Sequence, residues 1–260
     1  MLTVIAPAKT LDYESNLPTD NFSVSSHLTK TKRLIRELRT KDPEKLSDLM
    51  GISEKLAFLN FERNMNWSIP KKPSDSARQA LFAFKGDVYL GLDALSLEKK
   101  DIKFAQDHLR ILSGLYGILK PLDLIAPYRL EMGTKLTVGN NNNLYEFWGN
   151  DLTESVNRDL KNQKNKTLIN LASVEYFSSI NKNNLLGQVI SPIFKDYKNG
   201  EYKIISFFAK KARGMMARFI IDNKIDDPKD LQSFDVSKYK YNKKESTDLF
   251  PVFFRKNLNR

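Results

Sequence analysis

Two hydrophobic rhythms alternate along the chain. Short apolar runs rich in β-branched and aromatic residues predict strands at Leu2–Ala6, Leu81–Phe84, Thr167–Leu171, Gln188–Phe194, Lys203–Phe207 and Val252–Phe254. Asn199-Gly200, set between two such runs, predicts a tight hairpin because both residues tolerate positive φ. Apolar residues at helical spacing predict helices at Ser26–Arg39, Pro43–Met50, Ser53–Asn64, Leu97–Leu109, Glu146–Lys161 and Phe208–Asn223. Strands and helices intermingle without a regular βαβ order, and no internal repeat or long linker is visible. The expectation is a single α+β (mixed α/β) domain over residues 1–260, with a central mixed sheet flanked by helices.

The last predicted helix carries the densest charge. With Lys210 at zero and about 100° per residue, Phe208, Ala212, Met215, Met216 and Phe219 fall between roughly 140° and 240°, a stripe suited to a core. Lys210, Lys211, Arg213 and Arg218 take the other hemisphere, with Gly214 and Ala217 at its middle. Cations flanking a strip without side-chain bulk would let a phosphate backbone approach closely. From Tyr202 to Ile221 there are five cations and no acid, whereas a solvated helix usually interleaves both signs. An ordinary surface helix, or one whose Gly214 admits another element, is the competing reading.

A second pattern lies in "KLSDLMGISEKLAFL". Leu46, Leu49, Gly51, Ile52, Ser53 and Ala57 follow the spacing of a helix-hairpin-helix over about residues 43–64, with Ser53 where a second glycine is usual. Gly51 would allow the turn, Ile52 would plug the junction and Ser53 would cap the second helix. Amides there would face outward as an anion site beside Lys55, gripping duplex phosphates without reading bases. A plain helical hairpin fits the same residues.

Composition narrows the chemistry. Zero cysteines exclude disulfides, thiol nucleophiles and Cys-ligated metals, and two histidines, His27 and His108, leave little for His-based metal sites or a Ser-His-Asp triad. No His/Cys/carboxylate cluster has ligand spacing, so no metal or cofactor is expected. No apolar run spans a membrane, and "MLTVIAPAKT" reads as a first strand rather than a signal peptide, so a cytoplasmic protein is expected. Net charge is +11, with +3 over residues 1–150 and +8 over 151–260, an asymmetry that suits a polyanionic partner or simple solubility.

Smaller clusters of charge lie beside these. Lys9 follows the first strand in "APAKT", a stretch that lacks the glycines of a phosphate loop. Lys85 lies near Asp87 and Arg129 near Glu131, pairs able to do acid–base work or to serve as structural ion pairs. Asp196, Glu201 and Lys203 have a nuclease-like order but surround the Asn199-Gly200 turn, which would be exposed. Ser173, with Glu175 in the next turn, reads as a helix cap. No catalytic residue is assigned.

"APAKTLDY", "AFKGDVYLGL", "HLRILSGLYGILKPLDLIAPYRLEMG", "FWG", "INLAS", "EYF" and "IISFFAKKARGMMARFI" together resemble the YaaA family of peroxide-stress-resistance proteins, from Leu2 to about Phe254. Ala6 and Val174 stand where the family usually has Ser and Asp, which leaves open any role of those two side chains. The resemblance implies a cytosolic protein that limits peroxide damage linked to free iron. It also implies double-stranded DNA binding through a helix-hairpin-helix and a positively charged cleft in an unusual α/β fold. The leading expectation is therefore sequence-nonspecific duplex binding through Gly51, Ile52, Ser53, Lys55, Lys210, Lys211, Arg213 and Arg218. The alternative is an enzyme on a phosphorylated or nucleotide substrate, with Lys9, Lys85, Asp87, Arg129 and Glu131 round one cleft.

Overall fold

A computed structural model describes residues 1–256. Its centre is a five-stranded sheet in the order Gly117–Leu119, Leu109–Ser113, Leu2–Ile5, Leu168–Leu171, Val189–Ile190. The four strands from Leu109–Ser113 onward are parallel, and Gly117–Leu119 turns back antiparallel at one edge. Leu2–Ile5 is buried along its length, Thr3 included, as befits the middle strand of a parallel sheet covered on both faces.

A second sheet follows in the order Glu201–Lys203, Ile193–Lys198, Val252–Arg255, Lys240–Tyr241. The hairpin forms where expected, with Asn199 and Gly200 at φ 54° and 88°. The run expected as one strand over Gln188–Phe194 is divided: Val189–Ile190 ends the first sheet and Ile193–Lys198 enters the second. Pro192, which has no amide to give a ladder, lies at the break. Phe194, Phe234, Tyr239 and Phe253 pack ring on ring beneath the second sheet. One cluster of buried apolar residues includes members from both sheets.

Three further expectations are corrected. Leu81–Phe84 folds as a short helix, Ala80–Ala83, followed by a two-residue strand, Phe84–Lys85. All four of its residues are buried, and a short, fully buried apolar run carries no period that distinguishes strand from helix. Of Lys203–Phe207 only Lys203 is strand, the end of Glu201–Lys203; Ile204 and Ile205 lead into helix Ser206–Asp222. The helix expected over Glu146–Lys161 is two, Leu144–Trp148 and Asp151–Lys161, interrupted at Gly149 with φ 52°.

Two small features build the site. Thr10–Leu11 pairs antiparallel with Phe84–Lys85, Thr10 opposite Lys85, which brings Lys9 and Lys85 to one side. Helix Ser206–Asp222 crosses helix Asp87–Leu92 at paired glycines. A Cβ on Gly214 would lie 1.8 Å from the Val88 carbonyl oxygen, and one on Gly91 would lie 2.1 Å from that of Lys211. Glycine is the residue that permits this separation.

Candidate functional site

The Gly91–Gly214 crossing overturns the expected open strip. Gly214 and Ala217, at the middle of the basic face, are buried. A helical wheel treats its helix alone; here the helix packs on more than one side, so its small residues mark a protein contact. Arg218 is also committed, donating to Asp222 at 2.7 Å, to the Asp93 carbonyl at 3.0 Å and to Ser96 at 2.6 Å. Lys210 and Lys211 remain exposed, and Arg213 is half-buried.

The same crossing places Lys210 and Arg213 beside a cleft of about 430 Å³. It lies beyond the carboxyl ends of Leu2–Ile5 and Leu168–Leu171, the position where open parallel sheets form crevices. Lys9, Lys85, Asp87 and Glu131 also line it, so these four residues of the expected cleft come together. Arg129 stands behind Glu131, to which it donates at 3.1 Å, while Lys9 holds the other carboxylate oxygen at 2.6 Å. Lys85 faces Asp12 at 3.9 Å rather than pairing with Asp87. Burial raises the Asp12 carboxyl, but hydrogen bonds from Ser15 and the Glu14 amide, with Arg78 nearby, outweigh it and bring the pKa down to about 2.

The cleft contains groups the sequence did not nominate. Glu175 accepts from the Gly133 amide at 2.9 Å, and Tyr89 and Tyr176 close the interior. Burial pushes both phenols well above their ordinary range. Ser173 caps Val174–Phe177 as expected, accepting from Tyr176 N. Asp196 is wholly buried, held by Arg255 at 2.5 Å and Tyr239 at 2.8 Å, so it is a structural ion pair and not part of an exposed turn.

Further cavities continue the cleft. Arg213 also lines one of about 830 Å³. Lys85 is shared with one of about 380 Å³, which in turn shares Arg63 with one of about 260 Å³. Shared lining residues thus set a series of separate cavities between the helical hairpin, Arg63 and the basic helix. Their walls are mixed, since Asp12, Glu62 and Asp75 line them as well.

The hairpin itself is built from Pro43–Met50 and Glu54–Asn66. Asp42 caps the first helix at Lys45 N, and Gly51 ends it in the left-handed region at φ 58°, ψ 47°. Ile52 is buried as a plug, and Ser47 donates to its carbonyl at 2.6 Å. Ser53 occupies the cap position of the second helix without a side-chain capping bond, and Lys55 is exposed beside it. Arg39 docks the hairpin on helix Leu28–Leu38 by donating to the carbonyls of Asn64, Met65 and Trp67.

That docking helix is the signal the sequence reading missed. Thr31, Leu34, Ile35 and Leu38 face the core, while Lys32, Arg33 and Arg36 are exposed and form no ion pair among the described residues. The nearest acid in sequence, Glu37, is taken by Lys41 at 2.6 Å. Four cations precede that acid between Ser26 and Arg36, a run as clean as the one around Lys210. No helix among the described residues is long and apolar enough to cross a membrane.

A family profile described as "Peroxide stress protein YaaA" matches residues 1–245. A "UPF0246 protein" of Aliivibrio fischeri (strain ATCC 700601 / ES114) is 53% identical over 260 residues, covering all of both chains. Another "UPF0246 protein", from Teredinibacter turnerae (strain ATCC 39867 / T7901), is 53% identical over 256 residues, covering 98% of this chain and all of its own.

Proposed function

Because this chain belongs to the Peroxide stress protein YaaA family, we propose that it acts in peroxide stress by binding double-stranded DNA through backbone phosphates. The observation that carries this is a helical hairpin docked on a helix whose exposed face bears Lys32, Arg33 and Arg36 without counter-charges. Phosphates would be met there, at Lys55, and by the first-turn amides after Ser53, which that side chain leaves uncapped. Contacts of this kind position a protein without reading sequence. Arg63, Lys210 and Arg213, which line neighbouring cavities, would extend the surface toward the strand ends.

Protection against iron-linked damage then takes place at the DNA, where a bound protein shields the backbone from radicals made by iron and peroxide. A Lys32→Glu/Arg36→Glu variant tests the contact surface. It should fold, by circular dichroism, and lose duplex binding at moderate salt in a mobility-shift titration. Undiminished binding by the folded variant would remove this face from the proposal. Plasmid nicking by Fe(II) and peroxide should fall with wild-type protein and not with the variant.

A further inference from the structure

The strand-end cleft has a division of chemistry that phosphate contacts alone leave unused. Lys9 and Lys85 stand at its mouth with side chains 62% exposed, whereas Glu131 is 23% exposed and Tyr89 and Tyr176 are buried. Cations thus lie outermost, with carboxylates and phenols within. Among these groups some are already satisfied and some are not. Glu131 is shared by Lys9 and Arg129. Arg213, which lines the cleft, is half-buried, yet among the described residues it forms no ion pair and no hydrogen bond, leaving five donors unengaged. Burial also disfavours its charge, a cost that an anion would offset. Lys210, one helical turn earlier, and Asp87, across the Gly91–Gly214 crossing, likewise form no ion pair among the described residues.

A ligand complementary to these three groups carries an anion at one end and hydrogen-bond donors at the other. About 430 Å³ lies within the roughly 300–1,000 Å³ usual for small-molecule sites and is far too small for a duplex. We propose that this cleft seats one nucleotide unit, its phosphate on Arg213 and Lys210 and an amino-bearing base against Asp87. Arg suits the phosphate because its planar fork donates twice to two oxygens. A carboxylate accepts from the exocyclic amine of cytosine or adenine, or from the N1 and N2 edge of guanine, and finds less on thymine. The unit is either a free nucleotide or one turned out of a bound duplex. The second source rests on the DNA-binding reading, while the chemistry of the cleft does not.

Calorimetric titration of wild-type protein with the four 2′-deoxynucleoside 5′-monophosphates separates the possibilities, beside inorganic phosphate and the four nucleosides. Saturable binding of dCMP, dAMP or dGMP, at least tenfold tighter than of inorganic phosphate and tighter than of dTMP, is the expected result. Arg213→Gln and Lys210→Gln should each weaken it at least tenfold while melting like wild type, and Asp87→Asn should erase the preference over dTMP. For the duplex source, 2-aminopurine opposite an abasic site in a 20-mer should brighten when wild-type protein is added and stay dark with Arg213→Gln. Absence of both the monophosphate heat and the fluorescence rise overturns the proposal. A mobility-shift titration of an ordinary duplex by wild-type protein is run alongside. A shift without either pocket signal refutes the pocket and leaves the DNA reading standing. Monophosphate binding without a shift refutes the DNA reading and identifies the free nucleotide as the ligand.

Discussion

His27 packs edge-on against Trp148, with ring centroids 5.6 Å apart, and its Nε2 lies 2.9 Å from Ser155 Oγ. Burial lowers its pKa below the ordinary 6.5; Asp151 opposes that shift, while Arg158 and Lys30 add to it. An unfolded chain accepts the proton near pH 6.5, whereas the folded protein resists it until lower pH. Between those values the unfolded state binds more protons, so stability falls as pH falls. The contribution is intact above pH 6.5 and is lost on descent through the depressed folded value. Urea midpoints at about pH 7.5 and pH 5.5 should therefore drop further for wild type than for His27→Gln. Equal drops would show that another group drives the acid sensitivity.

At the scale of elements, the two kinds of glycine behave oppositely. Gly51 needs its left-handed φ of 58° but has nothing within 4 Å of an added Cβ. Gly51→Ala should therefore cost about 1–2 kcal/mol, from backbone strain alone. Gly214→Ala drives a Cβ to 1.8 Å from the Val88 oxygen and 2.9 Å from the Leu92 nitrogen, both backbone atoms that cannot rotate away. It should cost about 3 kcal/mol or more, lowering Tm by roughly 6–12 °C for a chain of this size. Calorimetric melting of the two variants checks the ranking, and a Gly214→Ala protein as stable as Gly51→Ala would refute the close crossing. This pair also shows what a sequence can disclose. Gly51 was legible because a turn is a local event, fixed by Gly, Ile and Ser in a row; Asn199-Gly200 was legible for the same reason. At Gly214 the competing reading, close packing of another element, is the one the structure bears out; choosing it needed Gly91, more than a hundred residues earlier. Leu81–Phe84 failed differently: full burial erased the period that would have told helix from strand. In the site, Lys9 was legible as the cation following the first strand, and Lys85, Asp87 and Glu131 as members of short-range cation–acid pairs. Glu175, Tyr89 and Tyr176 join them through sheet order, which no local pattern encodes.

Across the whole molecule, a net charge of +11 says little until the paired cations are set aside. Lys9, Lys41, Lys45, Lys203, Arg218 and Arg255 are each matched by a carboxylate. Such ions are already partly neutralised and have little left for a polyanion. Lys32, Arg33, Arg36 and Lys55 lack such partners among the described residues, and all four belong to the hairpin or the helix beneath it. If these four meet phosphates, each releases condensed counterions, and log Kobs should fall against log salt with a slope of roughly −3.6. Lys32→Ala should make that slope shallower by about 1. Lys45→Ala, which removes a cation already 3.0 Å from Asp42, should leave it unchanged although the net charge falls by the same amount. Fluorescence anisotropy on a labelled duplex between about 50 and 200 mM salt measures all three slopes. Equal effects of Lys32→Ala and Lys45→Ala would mean that the duplex responds to total charge rather than to this face. On the proposed reading, duplex binding follows the placement of these unpaired cations rather than the total charge.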